Sequence, residues 1–294
     1  MIVTAAGARQ GVRVFLAITF GLTWLPFAPV LVGGPAVPLL MPFAPAIAAV
    51  VVRRWVTKEG FADLRLRPSL RKILPWLVVA LAWPVLTIPL AVTAAQLLGA
   101  GDADLGRVDL LSLAMWAGAS VLAAPVFLGE ELGWRGYLQV RIFPGRRLLA
   151  ATVTGVVWAV WHFPLWLIVL ELPTWVLALA TGSTIVTSVF LGWLQERSGS
   201  VWAPAVGHST NNTFEAGFGA VAFTGGSRDI WLPLGPSLAI VAAEAVVLLS
   251  AVAVSSRRRE RSERSGATVA GPDAAAGSPA LGSAGRGGAP VDCP

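Results

Sequence analysis

The chain alternates between long apolar stretches and short polar ones, on a scale far wider than the period of a strand. Apolar runs fall near 12–33, 36–56, 73–98, 109–131, 149–170, 174–195, 201–222 and 231–254. Each is about the 20 residues that a helix needs to cross roughly 30 Å of hydrocarbon. Backbone in hydrocarbon must satisfy its own hydrogen bonds, which favours helices for runs of this length. The pattern predicts an all-α, polytopic transmembrane helix bundle with about eight spans. Pro26, Pro45, Pro84 and Pro164 fall inside runs and predict kinks. Residues 1–254 are read as an integral membrane domain, and 255–294 as a tail. The tail starts with RRRERSER and continues into an Ala/Gly/Ser/Pro-rich end with little to bury, which predicts disorder.

Composition strengthens this picture. The chain is 55% hydrophobic and 13% charged, whereas a soluble domain carries about a quarter charged residues. A net charge of +6 would suit nucleic acid if it formed one basic face. Here the basic residues flank apolar runs, which excludes a nucleic-acid partner and points to lipid headgroups. Cys293 is the only cysteine, so there is neither a disulfide framework nor a thiolate metal site.

Charge also orients the bundle. With a cytoplasmic N-terminus, 20 of the 22 Lys and Arg residues fall on the inner side, and only Arg107 and Arg228 fall outside. Both termini are therefore expected in the cytoplasm. The turn at 101–109 is acidic and agrees with an external position. Segment 58–72 is basic and partly apolar, and reads as lying on the inner leaflet. The apolar run at 12–33 is too long for a typical cleaved signal, so it is read as the first span.

Ionisable residues inside spans are costly, and each marks a candidate site. They are Glu130, Glu131, Arg135, His162, His208, Glu215 and Glu244, and they include both histidines of the chain. On a helix, Glu131 and Arg135 are four residues apart and can form an ion pair. Glu130 lies about 100° round from Glu131, so one arginine does not hold both equally. This assigns Glu131–Arg135 as an orienting pair and leaves Glu130 as the candidate base. Two interfacial carboxylates at a helix end remain the alternative. Trp158 shares a face with His162 and would wall a pocket; Pro164 frees a carbonyl nearby. A lone histidine there could equally be satisfied by a carbonyl. His208 and Asn212 project from one face as a pair of donors, which is what an oxyanion needs. Glu215 is read as a partner tuning that row, and Glu244 as a structural hydrogen-bonding residue.

Three motifs occur in order: Glu130-Glu131-x-x-x-Arg135, Trp158-x-x-x-His162 and His208-x-x-x-Asn212. Together they resemble the CAAX protease and bacteriocin-processing family of membrane proteases, which includes the type II CAAX prenyl endopeptidases. The resemblance covers about 110–222 and departs from the family where Trp158 replaces a usual phenylalanine. It implies an intramembrane endopeptidase acting near the cytoplasmic face. Glu130 and His162 would activate a water, and His208 and Asn212 would stabilise the oxyanion. Glu131, Arg135 and Trp158 would support them.

No cofactor is favoured. Zinc is the alternative, with Glu130, His162 and His208 as its ligands, but the sequence has no His-Glu-x-x-His. The expected partners are the lipid bilayer and a peptide or membrane-protein substrate. An Ala/Gly/Arg/Pro-rich composition suggests a bacterial plasma membrane, and a peptide, bacteriocin precursor or membrane-protein end rather than a prenylated tail. Competing readings are a proton-coupled transporter and a catalytically idle scaffold or immunity factor. Gly-Ala-Gly-Asp at 99–102 matches an aspartyl-protease pattern but lacks an intramembrane aspartate to partner it. One expectation carries a tension: His162 lies roughly 20 Å along its helix from Leu148 at 1.5 Å per residue, deeper than a base placed at the inner end of the fourth span.

Overall fold

The computed structural model describes residues 5–37, 39–64, 66–97 and 103–222. The eighth apolar run, Glu244 and the 255–294 tail lie outside the described residues. The described residues are helical, with no strand among them. Helix α1 (Ala5–Trp24) passes into a tight turn (Leu25–Val32), and a short α2 (Ala44–Val51) follows. Next come α3 (Leu70–Leu97), α4 (Leu110–Gly133), a one-turn α5 (Gln139–Ile142), α6 (Arg147–Pro164), α7 (Thr174–Ser198) and α8 (Trp202–Val221).

Five helices are long and apolar enough to cross a membrane: Ala6–Val32, Leu70–Leu90, Leu110–Ile142, Arg147–Val169 and Val176–Ser198. They coincide with the first, third, fourth, fifth and sixth predicted runs. The run at 36–56 folds as α2 plus one widened turn, Val52–Val56, and is too short to join them. α8 has 20 residues but carries His, Ser, Thr and Asn on its first three turns, which lowers its hydropathy.

Exposure is inverted relative to a soluble protein. On the long helix that starts with α4, Leu110 and Leu122 are 82% and 83% exposed, whereas Ser120, Glu131 and Arg135 are fully buried. Thr154, Ser188, Ser209 and Thr210 are also buried. A polar interior under an apolar exterior suits a surround that is itself apolar. The bundle is a multi-pass membrane protein.

Local chemistry sets the helix ends. Asp109 caps α4, its Oδ1 accepting from the Ser112 N–H at 2.7 Å. Pro125 is accommodated inside α4, and no further proline follows until Pro144-Gly145, so the α4 helix runs through a widened turn (Trp134–Leu138) and α5 to Ile142. Pro164 lacks an N–H, and α6 widens at Leu165–Val169 directly after it. Gly199 ends α7 at φ 65°, its N–H returning to Gln195 O at 2.8 Å.

α4 packs most extensively on α8, α6 on α7, and α2 on α4. The α2–α4 approach depends on glycine. A Cβ at Gly129 would stand 2.5 Å from the Pro42 carbonyl oxygen, and one at Gly133 would stand 2.7 Å from the Pro45 carbonyl carbon. The backbone of the 42–45 turn therefore lies directly on α4, one turn from the Glu-Glu pair.

The connection from α2 to α3 is strapped to the same helix. Arg53, buried at the end of α2, forks onto Asp63 with Nη1–Oδ1 and Nη2–Oδ2 distances of 2.6 and 2.8 Å. Arg141 from α5 pairs with Glu59 at 2.8 Å. Partial burial, the largest single influence on Asp63, would raise its pKa. The Arg53 hydrogen bond and the charges of Arg53 and Arg141 outweigh it, holding the carboxyl below its ordinary 3.8.

Two outcomes are expected. Gly133→Ala should cost about 1–3 kcal/mol by overpacking, read as a lower midpoint of unfolding in detergent. Gly118→Ala on the same helix, where nothing lies within 4 Å of the new Cβ, should be neutral. The lowered pKa of Asp63 means its stabilisation is complete above 3.8 and is lost as the pH falls through the folded value below that. Limited proteolysis of 58–67 should accelerate at acid pH in the wild type, and Asp63→Asn should be cut readily at every pH.

Candidate active site

The extension of α4 to Ile142 determines the depth of the site. Glu130 lies twelve residues before Ile142, about 18 Å along the helix. His162 lies fifteen residues after Arg147, about 22 Å along α6. The two are therefore level. The boundary at fault is the end of the fourth run, placed at residue 131, and not the start of the fifth. Glu130 is correspondingly deeper than a helix-end position.

Glu131 and Arg135 form the expected pair, with Arg135 Nη1 donating to Glu131 Oε1 at 2.8 Å and both side chains fully buried. The same oxygen also accepts from Nδ1 of His208, 3.0 Å away on α8. Glu131 therefore holds a residue of another helix, a contact that spacing within one helix could not show. Glu130 points elsewhere. Its Oε2 accepts the indole N–H of Trp158 at 2.8 Å.

Trp158 is the hub. Its ring lies 4.4 Å beneath the Arg135 guanidinium, an arrangement worth roughly 2 kcal/mol when desolvated. The His208 ring stands edge-on to it at 4.9 Å, and the His162 ring lies 5.7 Å away on its own helix. The replacement of phenylalanine by Trp158 thus does more than reshape a wall: it supplies an N–H donor to Glu130. The signal was present in the residue type, since indole has a donor and phenyl has none.

Both imidazoles are oriented by Nδ1. A carbonyl or carboxylate oxygen can only accept, so Nδ1–H of His162 donates to Trp158 O at 3.0 Å and that of His208 donates to Glu131. Each ring presents Nε2 away from its anchor. His162 is clasped by Trp166, stacked at 5.0 Å, and by Trp161, edge-on at 4.7 Å. Phe127 closes the other side of His208 at 4.6 Å.

The asparagines divide differently from expectation. Asn212 is exposed, with no hydrogen bond to its amide among the described residues. Asn211 is buried, and its Nδ2 donates to Glu215 Oε1 at 2.8 Å. Glu215 is accordingly tied to Asn211, one position along from the residue beside which the sequence placed it. Among the described residues no three His, Cys, Asp or Glu side chains converge as a metal-binding group.

A family match now joins the geometry. Residues 110–214 match the family model described as type II CAAX prenyl endopeptidase Rce1-like. The Rce1-like segment starts at the first residue of α4 and ends inside α8, and it contains Glu130, Glu131, Arg135, Trp158, His162, His208 and Asn212. The family found this way is the one the three motifs resemble. No curated protein matches the chain.

Glu131 and Arg135 are coupled in this site, so their substitutions should not add. Glu131→Gln should cost about 3–5 kcal/mol, because it leaves Arg135 buried and unpaired. Adding Arg135→Gln should recover part of that loss in a double-mutant cycle. Additive costs would contradict the pairing.

Proposed function

We propose that the chain is a glutamate-type intramembrane endopeptidase of the CAAX type, cleaving a peptide bond near the cytoplasmic side of a bacterial plasma membrane, with both termini in the cytoplasm. The observation that carries the reading is the convergence of Glu130, His162 and His208 around Trp158, inside an apolar-clad bundle and within the Rce1-like segment.

In this mechanism Glu130, with His162 Nε2, takes a proton from water as the oxygen attacks the scissile carbonyl. His208, protonated on both nitrogens, donates Nδ1–H to Glu131 and Nε2–H to the oxyanion. The exposed amide of Asn212 supplies the second donor. Glu130 then returns its proton to the leaving amine as the C–N bond breaks. Charge supports this assignment. Glu130, Glu131 and the Glu215 carboxylate held by Asn211 outnumber the Arg135 guanidinium, and an imidazolium at His208 offsets part of that excess. Glu131 Oε2 and the Nε and Nη2 atoms of Arg135 are buried with no partner among the described residues. Such atoms call for polar company, which supports a site that admits water.

The substrate we favour is a peptide or a membrane-protein end. Glu130→Gln, His162→Ala and His208→Ala should each abolish cleavage in reconstituted membranes while the protein inserts and folds. Full activity of Glu130→Gln on a verified substrate would remove it as the base. Trp158→Phe, which keeps the ring and deletes the donor, should lower kcat by about tenfold, since a hydrogen bond to a charged group is worth roughly 1.5–3 kcal/mol. Activity lost to a chelator and restored by zinc would replace this mechanism with a metal-based one. Comparison of membrane proteomes with wild-type and Glu130→Gln protein identifies the substrate.

A further inference from the structure

Among the described residues Arg53 is fully buried like Arg135, and the proposed chemistry does not use it. Its guanidinium does more than bind Asp63. Nη1 donates to Gly60 O at 2.8 Å, and Nη2 donates to Gly136 O at 3.0 Å, a carbonyl 83 residues away. Gly136 is the residue after Arg135, at the centre of the widened turn Trp134–Leu138. A widened turn departs from the regular ladder of backbone hydrogen bonds, and such turns depend on outside partners.

The remaining contacts of the strap converge on the same turn. Leu64 packs so closely that a Cβ at Gly136 would lie 2.8 Å from its Cδ2. Arg141 donates to Tyr137 O at 3.0 Å while holding Glu59. Its guanidinium lies 4.3 Å from the Tyr137 ring centre. Glu59 and Asp63 are the only acidic residues of the 58–72 segment, and both are used in this grip. The strap therefore clamps the turn that carries Arg135.

We propose that Arg53 is a positioning residue of the site: through its bond to Gly136 O it fixes the widened turn, and with it the Arg135–Glu131–His208 chain. The inference rests on the endopeptidase reading for its catalytic consequence but not for its structural one. A shift at Gly136 rotates Arg135, which shares Glu131 Oε1 with His208. The His208 ring turns with it, and a misplacement of about 1 Å can cost two orders of magnitude in rate.

The two histidines of the chain allow a direct test. Full-length protein with 15N-labelled histidine gives two sets of ring signals in lipid bilayers, assigned with His162→Gln. Arg53→Gln removes the bond to Gly136 O, and Arg53→Lys keeps a buried cation but cannot fork to both Asp63 and the carbonyl. In each variant the His208 Nδ1 signal should move toward that of an unbonded ring, while the His162 signals stay in place. On any peptide the wild type cleaves, kcat should fall about tenfold or more with KM within about twofold. Asp63→Asn retains Arg53 and its bond to Gly136 O, so it should give a smaller change in the same direction and serves if Arg53→Gln does not fold. Unchanged His208 signals in folded Arg53→Gln or Arg53→Lys protein would overturn the inference. If the wild type cleaves no peptide, the endopeptidase reading falls, and the histidine spectra still decide the role of Arg53.

Discussion

A carboxylate and a guanidinium with no exposed surface, 2.8 Å apart inside an apolar-clad bundle, impose the main constraint on this structure. Removing two ions from water costs several kcal/mol each, and their mutual attraction offsets this only with good geometry and further partners. Each neighbour of Glu131–Arg135 supplies one of those partners. His208 brings a second donor to the shared oxygen, and the Trp158 ring lies against the face of the guanidinium. α8 and α6 are thereby recruited to α4 through polar contacts, a form of glue suited to helices that gain little from hydrophobic association in lipid.

The same constraint explains the close backbone contacts around the pair. Gly129 and Gly133 let the 42–45 turn lie on α4, and Gly136 receives Leu64 and the Arg53 guanidinium. Small residues on the α4 helix thus let the α2 region and its following strap pack directly against the segment that carries the ion pair. The widened turn between α4 and α5 combines these needs: it continues the helix through 33 residues while offering Gly136 O to an outside donor.

Chemistry and stability share atoms here. Glu131 Oε1 neutralises Arg135 and orients His208, whereas Glu130 is held by a single indole donor. Two adjacent carboxylates on one helix therefore have different surroundings: one oxygen of Glu131 is shared by Arg135 and His208, and Glu130 meets one neutral indole donor. That asymmetry is what separates an orienting group from a group that can exchange a proton.

Much of this was legible along the chain. The helical class and the five long apolar helices follow from run length, because helical backbone needs no partner outside its own segment. The division between Glu130 and Glu131 follows from about 100° of rotation per residue. Contacts between helices were not legible, since no periodicity within α4 reveals which residue of α8 meets Glu131. The bond from Trp158 to Glu130, the burial of Asn211 in preference to Asn212, and the reach of Arg53 to Gly136 O are all of that kind. The run to Ile142 lies between these cases: Pro144-Gly145 marks the stop, but the charge of Arg135 and Arg141 obscured a helix whose polar residues are satisfied from neighbouring segments. The sequence by itself determined the helical class and marked Glu131 and Arg135 as a pair one helical turn apart. Tertiary structure decided their partners, because buried polar groups are satisfied by whatever the packing brings within about 3 Å.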